Sequence, residues 1–178
     1  GTQLTTTQEP VEPGSADAGE VTRLLRECMD DLRLMIDSLE PEEYSLLVAL
    51  GNLRYRLEPR LGAAGIELQW AVEEGVRAPS PDATLNLLRI VQEAVTNALK
   101  HAQASCLRIA CRCEADTLVL EVADNGRGFG AAQARNSPNT AQRGLGNMLV
   151  RAHQLGGSLQ RDHEGGGTRW VLRMPLGA

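Results

Sequence analysis

Apolar residues recur along this chain in two rhythms, one of three and four residues and one of two, and the changes between them mark its elements. Val21, Leu25, Cys28, Leu32, Met35 and Leu39 stand alternately four and three apart, which predicts a helix over residues 20–39 with an apolar seam. Pro41 ends it. A second helix is predicted over residues 44–61, stopping at Gly62, and residues 66–72 alternate as a strand does. Pro81-Asp82 suits a helix start, and the helix runs to His101. Leu85, Leu88, Val91, Val95, Ala98 and Leu99 form its apolar face; Arg89, Glu93, Thr96, Asn97 and Lys100 form a polar stripe. Two strands follow, 106–113 and 118–123, about a turn at Glu114-Ala115-Asp116. Residues 124–143 are rich in Gly, Asn, Ser, Gln and Ala and have no period. A helix over 145–155 ends at Gly156-Gly157, and residues 158–161 and 168–174 read as a hairpin around Gly165-Gly166-Gly167. Strands beside helices in this order predict an α+β fold, a sheet covered on one face by helices.

Composition narrows the function classes. The chain has 178 residues, 42% of them hydrophobic but only 3% aromatic, so its core rests on Leu, Val, Ile, Ala and Met. A net charge of −5 with no cluster of basic residues argues against nucleic acid as a partner. Residues 1–19 hold almost nothing apolar and read as a flexible linker or loop, with Asp17 placed to cap the helix after it. No apolar run approaches the roughly 18 residues of a membrane span, and no secretory signal is present. The opening residue is Gly1 rather than Met, so the sequence reads as a fragment of a longer protein. Cys28, Cys106, Cys111 and Cys113 make no C-x-x-C pair; Cys111 and Cys113 share a strand face and read as buried thiols rather than zinc ligands.

Three clusters carry candidate chemistry. On the 82–101 helix, Glu93 and Asn97 are four apart and share a face, which Lys100 and His101 continue. An Asn carbonyl oxygen suits Mg²⁺, a carboxylate one turn away can hold a water, and Lys100, the sole lysine, offers a point charge to phosphate. A solvated helix face would look the same. Next, Asp124-Asn125-Gly126-Arg127-Gly128-Phe129 follows an apolar strand. A carboxylate at a strand end can accept from an exocyclic amine, and Gly126 and Gly128 allow close backbone approach, although a plain Gly-rich turn fits as well. Last, Arg143-Gly144-Leu145-Gly146-Asn147 opens a helix whose N–H groups suit phosphate. It is not a dinucleotide fingerprint, because Leu149 stands where the third glycine belongs, and no P-loop lysine follows.

Taken in order, these clusters resemble the GHKL nucleotide-binding fold: an N-box helix (Glu93, Asn97), a first glycine box (Asp124, Gly126, Gly128), a second (Gly144, Gly146), then Gly167-Thr168. Leu88 to Glu93, Asn97 to Ala102, and Met148 with Arg151-Ala152 look like the sensor histidine kinases related to nitrate and membrane-fluidity sensors. That resemblance implies a Bergerat-type two-layer sandwich with a mixed sheet, binding ATP and Mg²⁺. It implies that Asp124 binds adenine N6, with Thr168 helping through water, and that Asn97 ligates Mg²⁺. Glu93 is then the catalytic residue, orienting or activating the attacking group; Lys100, His101 and Arg143 approach phosphates; and Gly144, Leu145 and Gly146 shape the phosphate loop and lid hinge. Residues 130–142 become a mobile ATP lid. The domain plan is a linker (1–19), a helical segment with the second dimerisation helix and connector (20–62), and the catalytic domain (63–178). One departure matters: His101, His153 and His163 are the only histidines, and none is a helical His followed by an acidic residue. The phosphoacceptor helix is therefore expected outside this sequence. The implied partners are that helix, a response regulator and a second copy in the full-length protein, with the fragment cytoplasmic, free of direct membrane contact, and its parent an inner-membrane sensor. The alternatives are a stand-alone GHKL ATPase or anti-sigma-factor serine kinase, or a non-catalytic nucleotide-binding dimerisation module.

Overall fold

The computed structural model describes Met29 and residues 45–128, 140–163 and 166–177. The chain divides into two compact units, Gly1–Leu39 and Glu40–Ala178, and the described elements belong to the second. In chain order they are α1 (Leu46–Ala63), β1 (Glu67–Val72), α2 (Pro81–Asn97), a π-helical turn (Ala98–Ala102), β2 (Cys106–Glu114), β3 (Thr117–Asp124), α3 (Thr140–Gln154), β4 (Ser158–Asp162) and β5 (Arg169–Pro175). The 20–39 seam and residues 130–139 of the expected lid lie outside the described residues.

Helix starts follow local chemistry. The Ser45 hydroxyl accepts from the Val48 N–H (3.2 Å) at the head of α1, and the Ser80 hydroxyl accepts from the Ala83 N–H (3.1 Å) at the head of α2. Pro81 supplies a preset φ at the first turn of α2 and Asp82 a favourable charge there. At the end of α3 the Gly157 N–H donates to Ala152 O and the Gly156 N–H to His153 O, with Gly156 at φ +63°. This is the glycine-closed helix end that the sequence predicts.

The sheet is mixed, in the order β1-β2-β3-β5-β4. β1 runs parallel to β2, and the remaining pairs are antiparallel. Because side chains alternate across a strand, register assigns the faces. Leu107, Ile109 and Cys111 of β2 stand opposite Asp124, Val122 and Leu120 of β3, which in turn oppose Trp170 and Leu172 of β5. These apolar residues are buried, and with Leu87, Leu88, Val91 and Val95 of α2 and Met148 of α3 they form the core. The other face carries Arg108, Arg112, Glu114, Glu121, Arg169 and Arg173. Glu121, though 9% exposed, is paired with Arg169 (2.7 Å), and Arg173 and Arg112 hold the Glu114 carboxyl below its usual range. So the helices cover one face and charged pairs solvate the other, as the α+β reading expects.

Leu46, Leu50, Leu53, Leu57 and Leu61 bury one face of α1, which packs on β1 and α2. Two expectations change. α2 is buried over a broader arc than its predicted face, because Leu87 and Ile90 are also covered while Leu85 is half-buried. And α3 begins at Thr140 rather than Leu145, so Gly144 and Gly146 lie inside the helix.

Candidate functional site

α2 and β3 converge at the end of the sheet, where a cleft of about 270 Å³, counting the part open to solvent, is lined by Ala94, Asn97, Ala98, His101, Ala102, Asp124, Gly128, Thr168 and Trp170. The helix contributes Ala94 and Asn97, the π-helical turn Ala98, His101 and Ala102, the sheet Asp124 and Trp170, and the loops beside those strands Gly128 and Thr168. Ala94, Ala98 and Ala102 recur every four residues, so small side chains face the cleft from the helix side.

Asp124 ends β3. Its Oδ1 accepts from the Gly126 N–H (2.9 Å) and the Thr168 N–H (3.4 Å), while its own N–H donates to Thr168 O (2.9 Å). Among the described residues both side-chain bonds fall on Oδ1, which leaves Oδ2 for an incoming donor. Thr168 is buried at 6% exposure. Glycines make this corner close-packed. A Cβ on Gly167 would strike Asp124 O, and one on Gly126 would strike Ala102 O. Gly128 takes φ +70°, a conformation that favours glycine, and a Cβ there would come within 2.9 Å of Gly166 O.

The π-helical turn is held from the other side. The Arg127 N–H donates to Ala102 O (2.9 Å) and Arg127 Nε to His101 O (3.3 Å). Asn125 Oδ1 accepts from the N–H groups of Ser105 (3.0 Å) and Cys106 (2.9 Å), and its Nδ2 donates to Ser105 Oγ (3.0 Å). The loop after β3 therefore fixes where the end of α2 lies, and with it His101. The wider π turn also parts two residues expected on one face: His101 lines the cleft, while Lys100 is exposed and does not.

A family model for histidine kinase-, DNA gyrase B- and HSP90-like ATPases matches residues 82–178, just over half of the chain. The chain belongs to this ATPase family. Curated relatives agree. The signal transduction histidine-protein kinase/phosphatase DegS of Bacillus subtilis is 30% identical over 136 residues, 76% of this chain and 35% of that protein. The sensor histidine kinase LnrJ of the same organism is 31% identical over 82% of this chain and 34% of its own. The chain thus spans about a third of the length of these relatives. Among solved structures, the Erythrobacter litoralis EL346 blue-light activated histidine kinase is similar with a TM-score of 0.73 at 22% identity, over 92% of this chain and 52% of that one. Acinetobacter baumannii histidine kinase AdeS is similar with a TM-score of 0.64 at 14% identity, over 94% and 88%. Both share the fold.

Of the residues that the sequence singles out, the cleft brings together Asn97, His101, Asp124, Gly128 and Thr168. Gly126 sits behind it against Ala102. Glu93, one helical turn before Asn97, lies against α3, where a Cβ on Gly144 would strike its carboxylate Oε1. The expected helix start at Arg143-Gly144 is corrected: these residues are already helical, and the N–H groups of Gly144 and Gly146 belong to the ladder rather than to a free N-terminus. Gly144 and Gly146 each cost the helix about 1 kcal/mol relative to Ala, but Met148 and Ala152 bury its lower turns. Leu145 is half-buried, nothing stands within 4 Å of a Cβ on Gly146, and the side chain of Arg143 lies outside the described residues. Sequence reasoning missed Trp170, which reads as an ordinary buried strand residue, and Asn125, which reads as part of a glycine-rich turn. Their β-sheet position and side-chain bonds appear only in three dimensions.

Proposed function

We propose that this chain binds ATP with Mg²⁺ and serves as the catalytic part of a sensor histidine kinase, delivering the γ-phosphoryl group to a histidine that is none of its own three. The observation that carries this reading is the corner at the end of β3: a carboxylate with one oxygen held by two backbone N–H groups and the other left toward a cleft walled by alanines. Adenine N6–H₂ is a donor that this oxygen can accept, whereas guanine would present O6 to it, acceptor against acceptor. Asn97, half-buried in the same cleft, offers the hard oxygen that Mg²⁺ prefers. Among the described residues no three His, Cys, Asp or Glu side chains converge as a metal cage, so the ion would be held between Asn97, phosphate oxygens and water. Bound there, Mg²⁺ would supply positive charge against the phosphates. Glu93 sits one turn from Asn97 to orient the acceptor. Residues 20–39 would pair as a dimerisation helix, a response regulator would take the phosphoryl group onward, and the work would be done in the cytoplasm. None of the described helices is long and apolar enough to cross a membrane.

Calorimetric titration with ADP, ATP and GTP, with and without Mg²⁺, tests the nucleotide half of the proposal. Binding of ADP and ATP that strengthens with Mg²⁺ and fails for GTP supports it; equal GTP affinity, or no binding, removes it.

A further inference from the structure

The cleft has one bulky apolar wall. Ala94, Ala98 and Ala102 line the helix side, Gly128 and Thr168 line the rim, and Trp170 is the large side chain of the sheet side. Register fixes where it stands. Trp170 pairs with Val122, two residues before Asp124 on the same face of β3, and lies two residues beyond Thr168 on β5. It therefore sits one sheet step inward of the carboxylate. The indole is 6% exposed. Arg161, its register partner on β4, places its guanidinium 5.6 Å from the ring centroid, backing the indole from the far strand.

We propose that Trp170 is a specificity-determining residue: the floor that sets the depth of the adenine slot beneath Asp124 and excludes purines substituted on the exocyclic amine. The inference rests on the reading that adenine N6 bonds to Asp124. With that bond made, N6 points at the sheet, and a substituent replacing its second hydrogen projects inward toward the indole. The alanines opposite leave room for the flat face of a base but give no such stop. A close-packed aromatic backed by a cation cannot yield cheaply, since overfilling a packed site forces its neighbours off their preferred conformations.

The test uses a Trp70→Phe chain, in which Trp170 is the sole tryptophan. ADP with Mg²⁺ is titrated by calorimetry and by tryptophan emission, and affinities for ADP and N6-benzyl-ADP are compared in this chain, in Trp170→Leu and in Trp170→Ala. The proposal expects Trp170 emission to change with ADP at the calorimetric affinity. It also expects the affinity ratio of N6-benzyl-ADP to ADP to rise about tenfold or more in Trp170→Ala, with Trp170→Leu between. Calorimetric ADP binding without any emission change, together with equal exclusion of N6-benzyl-ADP from all three chains, overturns the inference and leaves the nucleotide site standing. So does acceptance of N6-benzyl-ADP by the chain that keeps Trp170. No ADP binding at all removes the proposed function itself, and the inference with it. Should Trp170→Ala fail to fold, the emission readout and Trp170→Leu still decide.

Discussion

Exchanging Asp124 for Asn separates the structural half of this carboxylate from its ligand-facing half. Oδ1 accepts the Gly126 and Thr168 N–H groups at 2.9 and 3.4 Å, and an Asn carbonyl oxygen can accept both. The fold should lose only the difference between charged and neutral acceptors, about 1 kcal/mol. The other oxygen becomes an NH₂ and would meet adenine N6 donor to donor. A hydrogen bond to a charged acceptor contributes roughly 1.5–3 kcal/mol, and each 1.36 kcal/mol is tenfold, so ADP affinity should fall about 10- to 150-fold. Asp124→Ala, in contrast, strips two part-buried N–H groups of their acceptor and should cost stability at about 1–3 kcal/mol per donor. The assay pairs calorimetry for ADP with urea unfolding of the same preparations. Unchanged ADP affinity in a folded Asp124→Asn chain would refute the assignment of adenine to this corner.

Gly144→Ala should push the Glu93 carboxylate aside, which the end of a flexible side chain permits cheaply, while gaining about 1 kcal/mol of helix propensity; a thermal melt should show no loss of stability, and a clear loss would show that Glu93 is held rigidly against α3. Burial, with Cys113 and Glu73 adding, pushes the Cys111 thiol up to about 12. The folded state then keeps its proton where the unfolded chain ionises, so stability is level below pH 9 and falls above it by up to about 1.4 kcal/mol per pH unit. Urea midpoints measured from pH 8 to 10.5 should show a slope that Cys111→Ala flattens. Asn125→Ala removes three hydrogen bonds that tie the loop after β3 to Ser105 and Cys106; a loss of about 1–2 kcal/mol is expected, with faster amide exchange at Cys106, and an indifferent chain would show that the clamp is idle.

What was legible in the sequence is what local rules determine. Ser80 and Pro81 announce α2, three-and-four spacing announces its buried face, and Gly156-Gly157 announces the end of α3. Asn97, Asp124 and Thr168, which the cleft brings together, could be singled out beforehand from residue type and order. The π-helical turn was not legible: Ala98 to Ala102 carries an unbroken helical pattern, and what distinguishes it is its embrace by Arg127 and Gly126 from a loop some 25 residues on. Gly144 and Gly146 misled for a related reason. Glycine reads locally as a break, yet here one glycine makes room for Glu93 on a neighbouring helix, a tertiary demand that overrides propensity. Trp170 escaped because strand burial and cleft lining look alike until the sheet register is known.

Transfer of labelled phosphate tests the central claim most directly. The chain is incubated with Mg²⁺ and ATP labelled in the γ position, alone and with a separately prepared dimerisation hairpin bearing a histidine followed by an acidic residue. The account predicts acid-labile label on the hairpin, abolished by Asp124→Asn and by Asn97→Ala, and none on His101, His153 or His163 of the chain itself. An unlabelled hairpin beside a chain that binds and hydrolyses ATP, or stoichiometric label on one of the chain's own histidines, would contradict it.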